Sequence, residues 1–161
     1  MTRAFENWWL ALVTCMMLMM GYQPALAEEM AESKVPSLYD RLGGLMPISV
    51  VVSDFLDVLV PDEVLNANPA IDAARERVPT PYLKYQVTAL VCHATGGPCP
   101  YQGRTMKESH SHLNITEAEW DQMVLLFMSV LAKHNVPEQE AGELLAIVDS
   151  TKADIVAPTS N

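Results

Sequence analysis

The sequence predicts an all-α domain, and three observations support this class. Pairs of Gly and Pro divide most of the chain into segments of helical length. Inside those segments apolar residues recur three and four positions apart, which places them on one face of a helix. Thr116 and Glu119 match the capping box that starts many helices. The sequence contains neither an internal repeat nor a low-complexity tract.

Residues 1–27 are predicted to be a cleaved secretory signal. One basic residue precedes an apolar run over residues 8–20, which is 13 residues long, whereas a helix needs about 20 residues to cross a bilayer. A small-x-small pattern at 25–27 then leads to Glu28. We expect the mature chain to start near Glu28 and to be periplasmic or secreted, without stable membrane contact. An uncleaved anchor is the alternative, and a lipoprotein formed through Cys15 is a weaker one.

Composition limits the size and the partners of the mature chain. The formal net charge is −10, and removal of the signal leaves it unchanged because one basic and one acidic residue are lost. Such an acidic protein is a poor candidate for binding nucleic acid or anionic lipid. About 134 residues remain, which is the size of a single domain with one core.

Two cysteines follow the signal, Cys92 and Cys99. An exported chain meets an oxidising compartment, where this pair could form a disulfide. The alternative is two unpaired thiols, one at a helix end and one in a loop. Two cysteines with no second pair nearby disfavour a structural zinc site.

The first helical segments are short. Ser37 precedes a helical turn over residues 38–42 that stops at Gly43-Gly44. Pro47 fits the first turn of a second helix, which we expect to run to about Val60. The apolar stripe of this second helix is expected to contain Val50, Val51, Phe55 and Leu59.

Three helices and one irregular link complete the domain. The link covers residues 61–79 and contains at most one helical turn, at 73–77. The first helix runs from Thr80 to about Ala94, and the second is capped by Thr116 and runs to about His134. The last helix covers residues 138–155. The Gly-Gly-Pro turn at 96–98 closes the first of these helices. The Asn-Val-Pro break at 135–137 separates the last two.

Two histidines lie two residues apart, His110 and His112. In a helix such residues point about 200° away from each other, whereas residues three and four apart share a face. Met106, His110 and Leu113 therefore form an apolar stripe, and Glu108 and His112 form a solvent-facing one. Only His110 is placed to bind something buried. On spacing alone, a hydrogen-bonded core histidine is the commoner explanation.

Several short motifs follow one another in a specific order between residues 37 and 156. They are Leu-Tyr-Asp-Arg-Leu-Gly-Gly at 38–44, Gly-Gly-Pro at 96–98, Tyr101-x-Gly-Arg-x-Met106, His110 four residues later, Leu113-x-Ile-Thr116, and Asn-Val-Pro at 135–137. Together they resemble a truncated haemoglobin of group 1. Each motif alone is weakly specific, but their combined order and spacing are strongly specific. Residues 28–36 then form a linker, residues 37–156 a truncated globin domain and residues 157–161 a tail.

This resemblance implies a two-over-two helical sandwich around haem b, with the imidazole of His110 as the proximal ligand of the iron. It implies further that the haem is lined by Met106, Phe55, Leu56, Leu83, Gln86, Val87, Leu90, Tyr101 and Phe127. His93 and His134, each near a helix end, are expected to be surface or capping residues and not a sixth iron ligand.

The ligand side departs from the pattern of this family. Many relatives carry a tyrosine directly after the phenylalanine of the second helix, and its hydroxyl holds dioxygen, whereas here Leu56 follows Phe55. Among the distal residues expected to face the iron, Gln86 alone can donate a hydrogen bond. Tyr85 is turned away from them by its position on the helix.

Two classes of function follow from the resemblance. The first is a protein that binds dioxygen, carbon monoxide or nitric oxide reversibly for storage, delivery or sensing. The second is a nitric oxide dioxygenase or a peroxidase-like enzyme, which would need a separate reductase because the sequence shows no flavin or nicotinamide domain. Loss of the tyrosine hydroxyl shortens the time for which dioxygen is held, and this favours the first class. A haem-free helical domain is the remaining interpretation.

Overall fold

A computed structural model describes residues 35–158 and contains nine helices in that range. In chain order they are α1 (Leu38–Arg41), α2 (Leu45–Leu59), α3 (Glu63–Asn66), α4 (Pro69–Arg77), α5 (Thr80–Ala94), α6 (Met106–His110), α7 (Glu117–Lys133), α8 (Glu138–Asp149) and α9 (Lys152–Ile155). The described range holds no β-strand, only an isolated bridge between Ile115 and Val156. The all-α prediction is confirmed. The predicted signal lies outside the described residues, and no helix within them is long and apolar enough to span a membrane.

The four long helices form two packed pairs, α2 with α5 and α7 with α8, and α2 also packs against α7. This is the two-over-two arrangement that the resemblance implied. Two core clusters hold the helices together. The first consists of Ile48, Val52 and Leu56 on α2, packed against Leu83, Val87 and Val91 of α5. The second consists of Leu38, Phe127, Leu131 and Leu144. Phe55 contacts Phe127 edge to face, with 5.1 Å between the ring centroids.

The turn that ends α5 packs tightly against α1. The backbone amide of Tyr39 donates a hydrogen bond to the carbonyl of Thr95 at 2.9 Å. Gly96 has a φ of +86°, a left-handed conformation that favours glycine. A Cβ atom at Gly97 would lie 2.5 Å from Cδ2 of Tyr39 and 2.7 Å from Sγ of Cys92. Only glycine at position 97 therefore allows this close approach.

The predicted irregular link at 61–79 is wrong, because this stretch contains both α3 and α4. Asp62 caps α3 by accepting a hydrogen bond from the amide of Leu65 at 2.9 Å. Asn68 caps α4 by accepting one from the amide of Ala70 at 2.9 Å. Pro69 occupies the first turn of α4, where its missing N–H costs nothing. The prolines that suggested an irregular link therefore mark helix starts.

Two further predictions need correction. The last helix does not run unbroken over 138–155, because α8 ends at Asp149. The hydroxyls of Ser150 and Thr151 donate to the carbonyls of Ile147 and Val148, at 2.6 and 2.7 Å, and so satisfy the end of α8.

The buried stripe of α2 also differs from the predicted one. Ile48, Val52 and Leu56 are buried, four residues apart, whereas Val50 is 48% exposed. The predicted Val51 and Phe55 are partly buried and pack against the second cluster, beside Phe127, and the predicted Leu59 is partly buried against the first cluster. The abundance of apolar residues in this helix made two stripes nearly equivalent in the sequence.

Candidate functional site

His110 is the last residue of the five-residue helix α6, and its ring is held by the helix itself. Its Nδ1 atom lies 2.8 Å from the carbonyl oxygen of Met106, one turn earlier. A carbonyl only accepts hydrogen bonds, so the proton is on Nδ1. The Nε2 atom therefore carries the free lone pair that a metal ligand needs.

The surroundings of His110 keep its imidazole neutral. Burial lowers the pKa of His110 below its ordinary value, and the nearby charge of His112 lowers it further, while the hydrogen bond to Met106 acts in the opposite direction. Metal binding requires an unprotonated imidazole, so this environment favours the form that can coordinate iron.

The neighbours of His110 are arranged largely as the helical spacing predicts. Leu113 is 8% exposed and points inward, whereas His112 is exposed. Glu108 is also exposed, but it has a structural role, because it forms a capping box with Thr105 at the start of α6. The sequence contains the signal for this cap, the same Thr-x-x-Glu pattern that marked Thr116 and Glu119.

The other two histidines lie elsewhere. His93 is exposed near the end of α5. His134 is partly buried, and its Nε2 atom lies 2.8 Å from Oδ2 of Asp54 on α2. Lys133 donates to the same carboxylate oxygen at 2.7 Å. His134 therefore ties α7 to α2.

The segment that carries His110 is supported on its C-terminal side. α6 packs against α9. The amide of Ala157 donates to the carbonyl of Ile115 at 2.8 Å beside the Ile115–Val156 bridge. The side-chain amide of Asn68 donates to the carbonyl of Leu113 at 3.0 Å, which links the segment to the start of α4.

The distal helix α5 is oriented by two polar contacts to α2. Nζ of Lys84 lies 2.9 Å from Oγ of Ser53 and 2.8 Å from Oδ2 of Asp57. The neighbouring residues Leu83 and Val87 then pack against the α2 cluster that contains Leu56. The structure therefore brings the predicted residues Leu56, Leu83 and Val87 together.

Gln86 lies on the edge of α5 beyond this packed face. Its side-chain amide nitrogen donates a hydrogen bond to the hydroxyl of Tyr82 at 2.8 Å, one turn earlier. Tyr82 is 56% exposed, and Tyr85 is 68% exposed as expected. Gln86 was predicted to be a donor, but Tyr82 was not predicted to be its partner. The four-residue spacing on a helix was the available signal.

The apolar face of α5 is incompletely covered by protein. Although the helix carries many apolar residues, Cys92 is its only buried one, and Leu83, Val87 and Leu90 are each partly exposed. Tyr101, ahead of α6, is partly buried, and this burial, together with the nearby Tyr82, raises its pKa. A flat apolar group between α5 and the segment of His110 would cover this surface, so the residues present fit a haem.

Known proteins similar to this chain are globins. The profile of the bacterial-like globin family matches residues 37–157. The group 1 truncated hemoglobin GlbN of Synechocystis is 27% identical over 116 residues, which is 69% of this chain and 88% of that protein. The group 1 truncated hemoglobin GlbN of Mycolicibacterium paratuberculosis is 29% identical over 112 residues, 70% of this chain and 78% of that protein.

Solved structures show the same fold. The truncated hemoglobin of Tetrahymena pyriformis in its Fe(III) form has a TM-score of 0.66 at 20% identity, over 76% of this chain and 100% of that one. The 2/2 hemoglobin of a Synechococcus species, in the cyanomet state with covalently attached heme, has a TM-score of 0.66 at 22% identity, over 75% of this chain and 98% of that one.

These findings show that the chain has the two-over-two globin fold. The chain belongs to the bacterial-like globin family, and within it to the group 1 truncated haemoglobins. Membership in this family implies binding of a diatomic gas through a haem.

Proposed function

We propose that this chain binds haem b through Nε2 of His110 and takes a diatomic gas reversibly on the opposite side. The single observation that carries the proposal is the 2.8 Å contact between Nδ1 of His110 and the carbonyl of Met106. It fixes the tautomer and the ring orientation, as partners of metal-binding histidines commonly do. When bound, the haem supplies the iron to which a gas attaches.

Two cationic side chains are assigned to the carboxylates at the edge of the haem. Within residues 35–158, Arg77, Arg104 and Lys107 make no salt bridge, whereas the other five Lys and Arg residues of that range do. Arg104 and Lys107 flank the cap residue Thr105 at the start of α6, and both are exposed. Ion-paired hydrogen bonds from these residues would hold the carboxylates at the mouth of the crevice.

The ligand side favours release over retention of dioxygen. Leu56, Leu83 and Val87 form an apolar surface. The amide of Gln86 is directed to Tyr82 at the exposed edge of α5. A gas that needs a hydrogen-bond donor is therefore held weakly, which suits delivery or sensing.

The enzymatic alternative requires dioxygen to stay in place until nitric oxide arrives, and it requires a separate reductase. A dioxygen dissociation rate as slow as that of a variant with a tyrosine at position 56 would favour this alternative. A fast rate supports the binding protein.

We also propose that the protein is exported. The support is the apolar run at 8–20 and the small-x-small pattern at 25–27, followed by the acidic Glu28. N-terminal sequencing of protein recovered from the periplasm or the medium should begin near Glu28. Recovery of only the form that begins at Met1, in membranes, would show an anchor instead.

The proposed axial ligand is tested by His110→Ala, with His112→Ala as the matched control. Both remove an imidazole from the same short segment, but His112 is exposed and its ring does not point inward. His110→Ala should lose haem, which is followed as the loss of the Soret band relative to protein absorption, and added imidazole should restore part of it. His112→Ala should retain haem. Equal loss in both variants would overturn the assignment.

A further inference from the structure

Cys92 and Cys99 form a disulfide that joins the two sides of the proposed haem crevice. Cys92 is the third residue from the end of the distal helix α5. Cys99 lies in the loop that leads to His110, eleven residues later. The sequence alone is compatible with a disulfide and with two free thiols, and the structure shows the disulfide.

The Cys92 end of the disulfide is firmly anchored. Cys92 has no exposed surface. Its carbonyl accepts hydrogen bonds from the amide of Gly97 at 2.8 Å and from the hydroxyl of Thr95 at 3.2 Å. The ring of Tyr39 packs over Gly97 so closely that a Cβ atom there would clash with it.

The Cys99 end begins a segment with few other ties. The hydroxyl of Tyr101 donates to the carbonyl of Arg104, and the carboxylate of Glu108 accepts from the amide and the hydroxyl of Thr105, so these bonds stay inside the segment. Apart from the bond from the amide of Leu113 to the carbonyl of His110 at 2.8 Å, no hydrogen bond or salt bridge within residues 35–158 joins residues 100–112 to another part of the chain. The next polar tie is the bond from Asn68 to the carbonyl of Leu113. Apart from the packing of α6, the disulfide is therefore the last anchor before His110 on its N-terminal side, two residues after the one at Gly97.

We propose that Cys92–Cys99 is a redox-modification site that takes a dithiol, and that its state sets how firmly the protein retains haem. This inference rests on the proposed role of His110. With the disulfide closed, the segment that carries His110 is held at both ends. With it open, the tie moves back two residues to the turn at Gly97, so the free segment runs from Gly97 to Leu113 and samples more conformations, because a cross-link restricts an otherwise flexible loop. His110 then leaves the iron more often and haem escapes faster.

The reduction is a balanced two-electron exchange. A thiolate of the dithiol attacks the sulfur of Cys99, because this residue is partly exposed whereas Cys92 has no exposed surface. The attack forms a mixed disulfide while the Sγ–Sγ bond breaks. Sγ of Cys92 leaves as a thiolate and takes up a proton. The second thiol of the reagent then attacks its own sulfur in the mixed disulfide and releases Cys99 as a thiol. The dithiol is oxidised to a cyclic disulfide, and two electrons and two protons reach the protein.

The test is haem transfer from the ferric protein to an excess of apomyoglobin. Three samples are compared, the oxidised wild type, the wild type reduced with dithiothreitol and freed of reagent under argon, and the Cys92→Ser/Cys99→Ser variant. Haem should leave the second and third samples about tenfold faster than the first, since closing a loop of this kind commonly shifts an equilibrium by at least that factor. Dithiothreitol should not change the rate of the variant.

Two controls separate this effect from general weakening. Leu144→Ala removes a buried side chain of the second core cluster, on a helix that contacts neither α5 nor α6 extensively. At a temperature where thermal scans show every sample folded, it should lose haem more slowly than the reduced wild type. Equal rates for oxidised and reduced wild type, or equal acceleration in Leu144→Ala, would overturn the proposal. Absence of a Soret band in the oxidised protein would instead overturn the proposed haem site itself.

Discussion

Leu56→Tyr restores a hydroxyl at the position where many truncated haemoglobins carry a tyrosine. Leu56 is 2% exposed in the middle of α2, and its cluster packs against Leu83 and Val87 of the distal helix. A tyrosine hydroxyl at this buried place has few partners in the protein. A dioxygen ligand would provide one.

Leu56→Tyr has two effects, one on the free energy of folding and one on the rate of dioxygen release. The larger ring overpacks a full core, which costs about 1–3 kcal/mol of folding free energy. A hydrogen bond to a ligand that carries negative charge is worth about 1.5–3 kcal/mol, and each 1.4 kcal/mol or so is a factor of ten in rate or equilibrium. We therefore expect Leu56→Tyr to slow dioxygen release by about ten- to a hundredfold while it lowers the melting temperature.

Stopped-flow dissociation of dioxygen from ferrous protein measures this directly. Leu56→Phe is the matched control, because it adds the ring without the hydroxyl and should leave the rate near that of the wild type. Carbon monoxide release should change much less in both variants, since its outer atom carries less negative charge. If Leu56→Tyr releases dioxygen at the wild-type rate, residue 56 does not face the ligand and the alignment of α2 is wrong.

Three further predictions concern other parts of the site. Tyr82→Phe should slow dioxygen release by about threefold, because the variant frees the side-chain amide of Gln86 for the ligand. Gln86→Leu should change the release rate by less than about twofold. Faster release in both variants would show that Tyr82 instead directs the amide of Gln86 towards the gas. Arg104→Gln/Lys107→Gln should speed haem loss at low salt and differ little from wild type at high salt, because salt screens the interactions of exposed charges. Equally fast haem loss at low and high salt would exclude an electrostatic role of these two side chains. Asp54→Asn should lower the melting temperature at pH 7, where Lys133 foremost and His134 hold the pKa of Asp54 below its ordinary value. A carboxylate whose pKa is lowered in the folded state stabilises the fold at a pH above its unfolded-state pKa, and this stabilisation is lost as the pH falls through its folded-state pKa. The melting temperatures of wild type and variant should therefore converge in acid. A difference in melting temperature that stays constant with pH would contradict the ion-pair explanation.

Local spacing was sufficient for the parts of the site that depend on one helix. The difference in exposure between His110 and His112 agrees with the helical spacing, although α6 ends at His110 and His112 lies in the turn after it. The cap of α7 at Thr116 follows from its local sequence. The start of α5 at Thr80 and its end at Ala94 also follow from Pro and Gly nearby. These features depend on neighbours within one or two turns, which the sequence displays directly.

Features that depend on distant contacts were harder to predict. α4 was missed because its cap, Asn68, is followed by a proline that also suits a loop. The break at Ser150 depends on which hydroxyl satisfies the last carbonyls of α8. The disulfide requires Cys99 to fold back on Cys92, which the close approach at Gly97 permits. None of these three is encoded in apolar periodicity.

Haem binding by this chain is tested most directly by the absorption spectrum of the purified wild type in its ferric, ferrous and carbon-monoxide forms, with haem and protein quantified together. We expect about one haem per chain, with a Soret band that moves on reduction and again when carbon monoxide is added. Because His93 is exposed and His134 is bound to Asp54, the ferrous form should be five-coordinate before the gas is added. A protein that is folded and helical but shows no Soret band after incubation with haem would show that this chain does not bind haem.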